Sequence, residues 1–491
     1  MKIELSEHIN CEIINGVEKD SNSKFYMIED VFSNINLDKR KPIKVERNTK
    51  VFPYKITKKD DSTYMLNADY YIGLDWLVIG KKYVNVVPKV NAKLLANFQD
   101  RLNIEADKEV DDEEEAKNDE IAEKAIEKEA QKTEGASKLD YVKMLLDVYA
   151  ANLTEKEIGN LVTIYWDSEK IKIEQKEDQL TPFLVVQFLN LLKSIVKKGL
   201  KRSYYKVQEN LTNKVKGKIL VGTHIKQNVF KNRMTKTFCE YQVFGENNIE
   251  NKFLKKVFQY CISYVQNSKF FTSETKGDIN NLINYCRPAF ELINDDLKES
   301  QLHHLKYNPF FKEYKEAIKI GNYILKQFAY NISATSANEI ETPPFWIDMP
   351  RLFELYFYQK LLKANSFDRG KINYQFSTFG NSLDFLINNG KDSIVIDTKY
   401  KLHYKQGHIH SDIRQVSGYS RLRKVRDEIK KSTPSWNENS LINCLIIYPE
   451  IEKQKDFNYT LDCLSKICGN PDNEIKAYHK VYKLGIKLPM I

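Results

Sequence analysis

The sequence has little that would place the protein in a membrane or outside the cell. No uninterrupted apolar run approaches the roughly 18 residues of a membrane span, and the opening residues MKIELSEHIN lack the short apolar core of a signal peptide. Seven cysteines are scattered without a CxxC pair, which argues against a disulfide framework and against a zinc ribbon. We therefore expect a cytoplasmic protein with reduced cysteines.

A phosphate-binding loop is also missing from the sequence. The motif G-x4-GK[ST], whose backbone cradles nucleotide phosphates, does not occur, and the run VIGKKY lacks both the Ser or Thr and the earlier glycine. No internal repeat is visible. The chain is therefore expected neither to bind a nucleoside triphosphate through such a loop nor to form a repeat array.

Positive charge predominates, but it is unevenly distributed. The chain has 76 Lys and Arg against 67 Asp and Glu, a formal net charge of +9. Residues 102–135 contain 14 acidic and 5 basic side chains, so the rest of the chain carries +18. Such an excess favours a polyanionic partner, above all nucleic acid, because neutralised phosphates release condensed counterions. A lysine-rich proteome is the alternative explanation.

Length and pattern divide the 491 residues into four segments. Residues 1–100 alternate turns with short runs rich in Val, Ile, Tyr and Phe, which predicts a β-rich domain. Residues 101–137 are acidic and almost without aromatic side chains, as in a linker or an exposed helix. Residues 138–340 have apolar side chains at three- and four-residue spacing, which predicts a mainly helical domain, and the long helical pattern extends through KKGLKRSYYKVQENL. Two strand-like pieces, KGKILVGTHI and KTFCEYQVF, interrupt it.

Residues 341–491 predict a compact domain of mixed type. IDMPRLFELYFYQKLLK and DIRQVSGYSRLRKV have helical periodicity, whereas INYQFSTF, SLDFLIN, SIVIDTKY and LINCLIIYPE are typical of strands. The order helix, three strands, helix, strand predicts a mixed sheet flanked by helices. The whole chain is therefore expected to be a multidomain α+β protein.

Ionisable residues in this last segment occur at the ends of apolar strands. Asp384 lies in the second predicted strand and Asp397 in the third, and Lys399 shares a face with Asp397 because side chains alternate along a strand. Two carboxylates on adjacent strands can hold one or two Mg²⁺ ions, with the carbonyl of Thr398 as a further ligand. Lys399 would orient the attacking water or offset charge on a phosphate.

The triplet acidic-x-Lys is weak by itself, because it recurs at Glu115, Glu174 and other positions. A surface hairpin with ordinary ion pairs is the alternative interpretation. Asp397 differs because the apolar run IVI precedes it, and a charge at the end of a buried strand is costly unless it is paired or bound to metal.

Three further polar residues can join this site. Gln415 and Tyr419 are four residues apart on the predicted helix after the third strand, so they share one face and could order the site or contact the DNA backbone. Glu354, within RLFELYFYQK, could reach the metal from the first helix. A glutamate on the helix surface is the equally open alternative.

These residues together resemble a known pattern. D-x12-D-x-K followed by Q-x3-Y is similar to the Q-x3-Y branch of the PD-(D/E)xK nuclease superfamily. Leu383 stands where the superfamily's name has Pro, and the acidic insertion is longer than the pattern requires. The chain also resembles the McrC family, the nuclease subunit of McrBC-type modification-dependent restriction systems, in the stretches YYIGLDWLVIGKKYVNVVPKV, KLDYVKMLLDVYA, VKGKILVGTHIKQN, FCEYQVFGENNIENKFLKKV, FWIDMPRLFELY and VIDTKYK.

The resemblance implies an α/β PD-(D/E)xK nuclease domain with a mixed sheet at 341–491 and Mg²⁺-dependent cleavage of DNA in anti-phage defence. The catalytic residues it implies are Asp384, Asp397, Lys399, Glu354, Gln415 and Tyr419. One or two Mg²⁺ ions would be held by Asp384, Asp397, Thr398 and Glu354.

A partner is implied as well. McrC-like proteins bind an McrB-like AAA+ GTPase ring and stimulate it, and a higher-order assembly forms through that ring; residues 1–100 and the central domain would be the ring-binding part. Modified bases in the DNA would be read by the partner. Two alternatives stay open: an adaptor that activates the motor without cleaving DNA, and a stand-alone PD-(D/E)xK nuclease.

The strongest basic run lies between Lys193 and Lys218, with nine Lys or Arg against one acid. Because Tyr204 and Tyr205 lie among these charges, a contact with DNA or with the partner ring is predicted. A solvated helix face is the alternative. The candidate DNA-binding residues are Lys197, Lys198, Lys201, Arg202 and Lys206.

A histidine-containing segment follows the third strand. His403, His408, His410 and Asp412 suggest a second metal site, but the spacing H-x4-H-x-H matches no established ligand signature. A polar loop beside the active site is the favoured interpretation.

Overall fold

The chain forms two compact units, Met1–Lys172 together with Glu341–Ile491, and Ile173–Ile340. Residues 101–135 of the acidic segment lie outside the described part of the chain. The computed structural model describes residues 2–6, 10–14, 25–27, 42–46, 49–58, 63–91, 136–151, 153–174, 178, 180–268, 270–271, 273–297, 311–333, 339–378, 381–390, 392–401, 408–437, 439–450, 457–475 and 478–490.

The strands of the described residues are mostly short. In chain order they are β1 Lys2–Ser6, β2 Asn10–Ile14, β3 Phe25–Met27, β4 Lys44–Glu46, β5 Thr49–Val51, β6 Tyr54–Lys58, β7 Thr63–Ala68, β8 Tyr71–Val78, β9 Lys82–Val87, β10 Lys89–Asn91, β11 Ala136–Lys138, β12 Val162–Ile164, β13 Ile171–Glu174, β14 Ser203–Thr212, β15 Lys218–Ile219, β16 Lys236–Gly245, β17 Glu339–Thr342, β18 Phe345–Asp348, β19 Ile372–Thr378, β20 Asn381–Asn388, β21 Ser393–Thr398, β22 Asn443–Glu450 and β23 Val481–Lys487.

Helices begin after residue 140 in the described part of the chain. They are α1 Tyr141–Ala150, α2 Glu155–Ile158, α3 Leu180–Lys198, α4 Val221–Gln227, α5 Ile249–Asn267, α6 Ser273–Cys286, α7 Lys312–Ser333, α8 Met349–Ala364, α9 His408–Ser420, α10 Arg423–Ser432 and α11 Leu461–Ile467. Several have an N-cap side chain that accepts a hydrogen bond from a backbone N–H of the first turn, as Asp348 does from Arg351 in α8.

A five-stranded sheet in the first unit joins distant parts of the chain in the order β1-β9-β8-β18-β12. Strand β1 is parallel to β9, and the other neighbouring pairs are antiparallel. Trp346 of β18 is buried in a core with Ile3, Tyr54 and Val84. Residues 1–100 and 341–491, for which the sequence predicted separate domains, therefore share one sheet and one core.

Gly73 allows two strands of this sheet to come unusually close. It pairs with Trp346 in the β8–β18 ladder and has a φ of +142°, which side-chain-bearing residues rarely adopt. A Cβ at this position would lie 2.1 Å from the carbonyl oxygen of Phe345. Only glycine therefore fits the pairing of β8 with β18.

The second sheet of this unit has the order β19-β20-β21-β22-β23. Strands β19 to β21 are antiparallel, and β21, β22 and β23 are parallel to one another. Buried Val395 and Ile446 from the sheet pack with Ile413 and Val416 of α9 in one core. The predicted mixed sheet with flanking helices is confirmed, whereas β23 had not been predicted.

The helix predicted over DIRQVSGYSRLRKV is interrupted in the structure. Helix α9 ends at Ser420, and α10 begins at Arg423. Leu422 between them has an extended backbone, with φ −64° and ψ 127°, so the polypeptide changes direction there. The apolar periodicity continues across the break because both helices cover the same core, with Val416 in α9 and Val425 in α10.

The second unit, Ile173–Ile340, is mainly helical and contains a three-stranded sheet in the order β14-β16-β15. The prediction that the long helix continues through SYYKVQENL is wrong. Helix α3 ends at Lys198, Gly199 has a φ of +89°, and β14 then pairs with the whole length of β16. The segment contains Tyr, Val and Leu at alternate positions, which favours a strand once a partner strand is present.

Within the described residues, α3 is long and apolar enough to cross a membrane by length and composition alone. Two thirds of its most apolar window is buried inside the protein, as in the core helices that meet the same criterion.

Candidate active site

The candidate site lies where strands β20 and β21 end beside helix α9. The ladder between the two strands closes with the pair Phe385 and Ile396. Asp384 and Asp397 are each one residue beyond that last pair, so they lie on the same face of adjacent strands. The buried run Ile394–Ile396 anchors the strand that presents Asp397.

Asp384 is held by the end of the neighbouring strand. Its Oδ2 accepts hydrogen bonds from the backbone N–H of Thr398 at 2.7 Å and from the Thr398 hydroxyl at 2.6 Å. Burial raises the pKa of Asp384 to about 7, the negative charge of Glu354 adds to this effect, and the Thr398 hydrogen bonds oppose it. The two hydrogen bonds from Thr398 thus fix the orientation of the Asp384 side chain, but they do not fully compensate its negative charge.

Asp397 is 3% exposed, and its Oδ2 lies 2.8 Å from the Nζ of Lys399. Among the described residues, no donor makes a well-aligned hydrogen bond with this oxygen. Burial raises the pKa of Asp397 to about 7, and the charge of Asp384 raises it further, against the effect of Lys399. Asp397 is therefore a buried carboxylate with spare capacity to bind a cation.

Lys399 connects the strand end to helix α9. Its Nζ donates to the Oε1 of Gln415 at 2.8 Å, and the Nε2 of Gln415 donates to the hydroxyl of Tyr419 at 2.6 Å. Burial lowers the pKa of Lys399, but the charge of Asp397 outweighs it and the net shift is upward. The structure thus brings Asp397, Lys399, Gln415 and Tyr419 into one chain of contacts with a cationic lysine.

Glu354 of α8 has other partners. It is 9% exposed and accepts from Nη1 of Arg351 at 3.4 Å and from Nε2 of Gln375 at 3.3 Å. Burial raises its pKa. No three His, Cys, Asp or Glu side chains in the described part of the chain are grouped closely enough to hold a metal. The charge of Glu354 therefore reaches Asp384, but the predicted three-carboxylate ligand set is not assembled.

The carboxylates of Asp384 and Asp397 together fit Mg²⁺. Carboxylate oxygens are the ligands that hard cations prefer. Burial raises the pKa of each to about 7, and a neighbouring negative charge raises it further, that of Glu354 at Asp384 and that of Asp384 at Asp397. A bound divalent cation would compensate these charges. The Oδ2 of Asp397 contacts only the Nζ of Lys399 among the described residues, without an aligned hydrogen bond, so it can accept a cation as well. The N–H and hydroxyl of Thr398 both bind Asp384. Metal binding by the Thr398 carbonyl stays a prediction.

A second buried ion pair beside the site was missed from the sequence. Lys401 Nζ lies 2.6 Å from the Oδ2 of Asp412, which also accepts from the Tyr448 hydroxyl at 3.3 Å. Lys401 follows Lys399 with strand spacing, which is the only sequence signal for it. Its partner on α9 could not be identified without the fold.

The histidine segment is described only in part. His403 and the side chain of His408 lie outside the described residues. The Nδ1 of His410 is 3.0 Å from the Tyr478 hydroxyl, and Asp412 is paired with Lys401. The described members of this group therefore have protein partners.

The candidate DNA-binding residues lie in the second unit, where most of them have acidic partners. Their ion pairs are Lys198 with Glu313, Lys201 with Glu250 at 2.5 Å, Arg202 with Glu246 at 2.9 Å and Lys206 with Glu240 at 3.3 Å. Lys197 is exposed. Much of the positive charge predicted from the run is thus neutralised within the unit.

Comparison with known proteins identifies the family. The family described as McrBC 5-methylcytosine restriction system component matches residues 159–429, more than half of the chain and all the candidate catalytic positions. None of the curated proteins matches. Two solved structures from Thermococcus gammatolerans are distantly similar. The assembly of McrB AAA+ hexamers with bound McrC has 12% identity and a TM-score of 0.35, and the match covers 99% of this chain and 94% of that chain. The McrBC complex has 13% identity and a TM-score of 0.26, and the match covers 74% of this chain and 88% of that chain. The chain belongs to the McrBC family of 5-methylcytosine restriction system components.

Proposed function

We propose that the chain is the McrC-type DNA endonuclease subunit of a cytoplasmic restriction system, hydrolysing phosphodiester bonds with Mg²⁺ and acting with an AAA+ GTPase. The observation that carries the proposal is the pair Asp384 and Asp397 just beyond the last pair of the β20–β21 ladder, with Lys399 held between Asp397 and Gln415. Buried, poorly compensated carboxylates beside a cationic lysine are typical of metal-dependent sites.

Each side chain has a role that follows from its contacts. Asp384 and Asp397 would hold Mg²⁺, which supplies an activated water and neutralises charge on the phosphate. Lys399 keeps a positive charge at the edge of the pair, where it can contact a phosphate oxygen or direct the water. Gln415 accepts from Lys399 and thereby fixes its direction, and Tyr419 in turn fixes Gln415.

A cleavage assay tests the proposal directly. The purified chain, mixed with its partner GTPase, GTP and methylated DNA, is expected to cut only when Mg²⁺ is present and to stop when EDTA is added. Product formation is followed on gels. Cutting at the same rate with no partner favours the stand-alone nuclease, and stimulated GTP hydrolysis without any cutting favours the adaptor.

The second unit has a candidate surface for the partner ring. We define the arm as residues 203–245, which contain β14, β15, α4 and β16. Several large apolar side chains of the arm are exposed, with Phe230 at 79%, Tyr204 at 71% and Met234 at 71%. Exposed apolar side chains concentrated in one region mark protein interaction sites. The arm is therefore our candidate contact with the ring.

The arm contact can be tested with one aromatic residue. Phe230→Asp is expected to weaken binding of the partner GTPase about 10-fold or more, because a charge replaces a central apolar anchor. Stimulation of GTP hydrolysis, titrated with the chain, measures this. Phe270→Asp is the matched control, since Phe270 is in the same unit, 42% exposed and outside the arm. Equal stimulation by both variants would show that the arm does not bind the ring.

A further inference from the structure

Gln375 has an unusual backbone in the middle of strand β19. Its φ is +47°, a left-handed conformation that residues other than glycine and asparagine rarely adopt. Of the five non-glycine residues with positive φ in the described part of the chain, three are asparagines, and Gln375 and Lys480 are the other two. Left-handed backbone at a glutamine persists only where its surroundings enforce it, and such positions concentrate at functional sites.

The position of this residue is tied to Asp384. In the β19–β20 ladder, Tyr374 pairs with Phe385 and Phe376 pairs with Leu383. The pair between them would be Gln375 and Asp384, and it is missing from the ladder. The backbone irregularity therefore lies directly across from one of the two candidate metal ligands.

The side chain of Gln375 connects this irregularity to α8. Its Nε2 donates to the Oε1 of Glu354 at 3.3 Å, although the glutamine is exposed. Arg351, three positions earlier on α8, is another partner of Glu354 and holds the carboxylate along that helix. The Tyr374 side chain of β19 also interacts with this carboxylate. Gln375 is thus, with Tyr374, one of the two described residues of β19 that link Glu354 to the strand next to Asp384, and it is the one directly across from Asp384.

We propose that Gln375 is a positioning residue that holds the Glu354 carboxylate towards Asp384, so that Glu354 becomes the third acidic group of the metal site. The inference rests on the proposed function and adds a residue outside the D-x12-D-x-K and Q-x3-Y pattern. The charge of Glu354 already acts on Asp384, whose pKa it raises. Movement of the Glu354 side chain towards Asp384 would then complete a three-carboxylate set.

The decisive variant is Gln375→Asn. Asparagine tolerates positive φ and keeps the amide, but it is one methylene shorter and cannot reach Glu354 in the same way. The melting temperature is expected to stay the same or to rise slightly, whereas the affinity for Mn²⁺, measured by calorimetry on the full chain, is expected to fall roughly 10-fold. Lys480→Asn is the control, because it also places asparagine at a position of positive φ, but away from Asp384. It is expected to leave Mn²⁺ affinity unchanged.

A double-mutant cycle with Glu354→Gln separates positioning from a general structural effect. In that background Gln375→Asn is expected to change Mn²⁺ affinity no further, since the carboxylate it positions is gone. The inference is overturned if the Gln375→Asn variant binds Mn²⁺ with wild-type affinity. It is also overturned if Gln375→Asn lowers Mn²⁺ affinity equally in the wild-type and Glu354→Gln backgrounds. If the wild-type chain binds no Mn²⁺, the metal in the proposed function is refuted. A crystal structure of the Gln375→Asn variant then tests the positioning role. A Glu354 carboxylate in its wild-type position overturns the inference, and a displaced carboxylate supports it.

Discussion

Asp397→Asn is expected to reduce DNA cleavage at least about 100-fold, since it removes a proposed metal ligand outright. The substitution keeps the shape of the side chain, and the strand that carries it is anchored by buried Ile394 and Ile396. It removes the charge that pairs with Lys399 at 2.8 Å, so both the metal and the lysine lose their partner. Binding of the partner GTPase and stimulation of GTP hydrolysis are expected to be unchanged.

Asp392→Asn is the matched control for this prediction. Asp392 is exposed and immediately precedes the strand that presents Asp397, so the same chemical change is made one residue before β21 begins. Cleavage should stay at the wild-type rate in this control. Wild-type cleavage by Asp397→Asn would falsify the nuclease proposal and leave the adaptor as the function of the chain.

Gly73→Ala is expected to lower the free energy of unfolding of the first unit by about 3 kcal/mol or more, as for other substitutions that force a backbone clash. The new Cβ would lie 2.1 Å from the Phe345 carbonyl oxygen, and alanine is also strained at a φ of +142°. Strand β18 must then move away from β8, which exposes Trp346 of the core to water. Denaturant unfolding followed by tryptophan fluorescence measures the loss.

The control for Gly73→Ala is Gly277→Ala in helix α6 of the other unit. A Cβ there meets nothing within 4 Å, and alanine stabilises a helix by about 0.5–1 kcal/mol relative to glycine. Gly73→Ala is thus expected to lower the free energy of unfolding, and Gly277→Ala to raise it. An unchanged unfolding midpoint in Gly73→Ala would mean that the β8–β18 pairing does not hold the first unit together.

The parts of the fold that follow from local pattern were predictable from the sequence. Strands β20 and β21 are apolar runs that each contain one aspartate, and the short turn between them sets their pairing. That is why Asp384 and Asp397 could be assigned to adjacent strands. The mixed sheet followed because α8, α9 and β22 have periodicities that their own residues determine.

The remaining features depend on residues far apart in the sequence. Strand β14 continues an apolar helical pattern, and it is a strand because β16, more than twenty residues later, pairs with it. Trp346 completes a core whose other buried members precede residue 90, a contact that no local pattern reveals. The left-handed backbone of Gln375 likewise has no signal in its own residue type, because glutamine has no preference for positive φ.

The insertion of β18 between β8 and β12 also determines the order in which the protein can fold during synthesis. Strand β8 ends at Val78, but its partner begins only at Phe345, after the entire second unit has been translated. At ribosomal rates this leaves the edge of β8 uncovered for a time on the order of 10 to 50 s. Ile173–Ile340 can fold first, so Met1–Lys172 is the segment that most needs protection by a chaperone until β18 emerges.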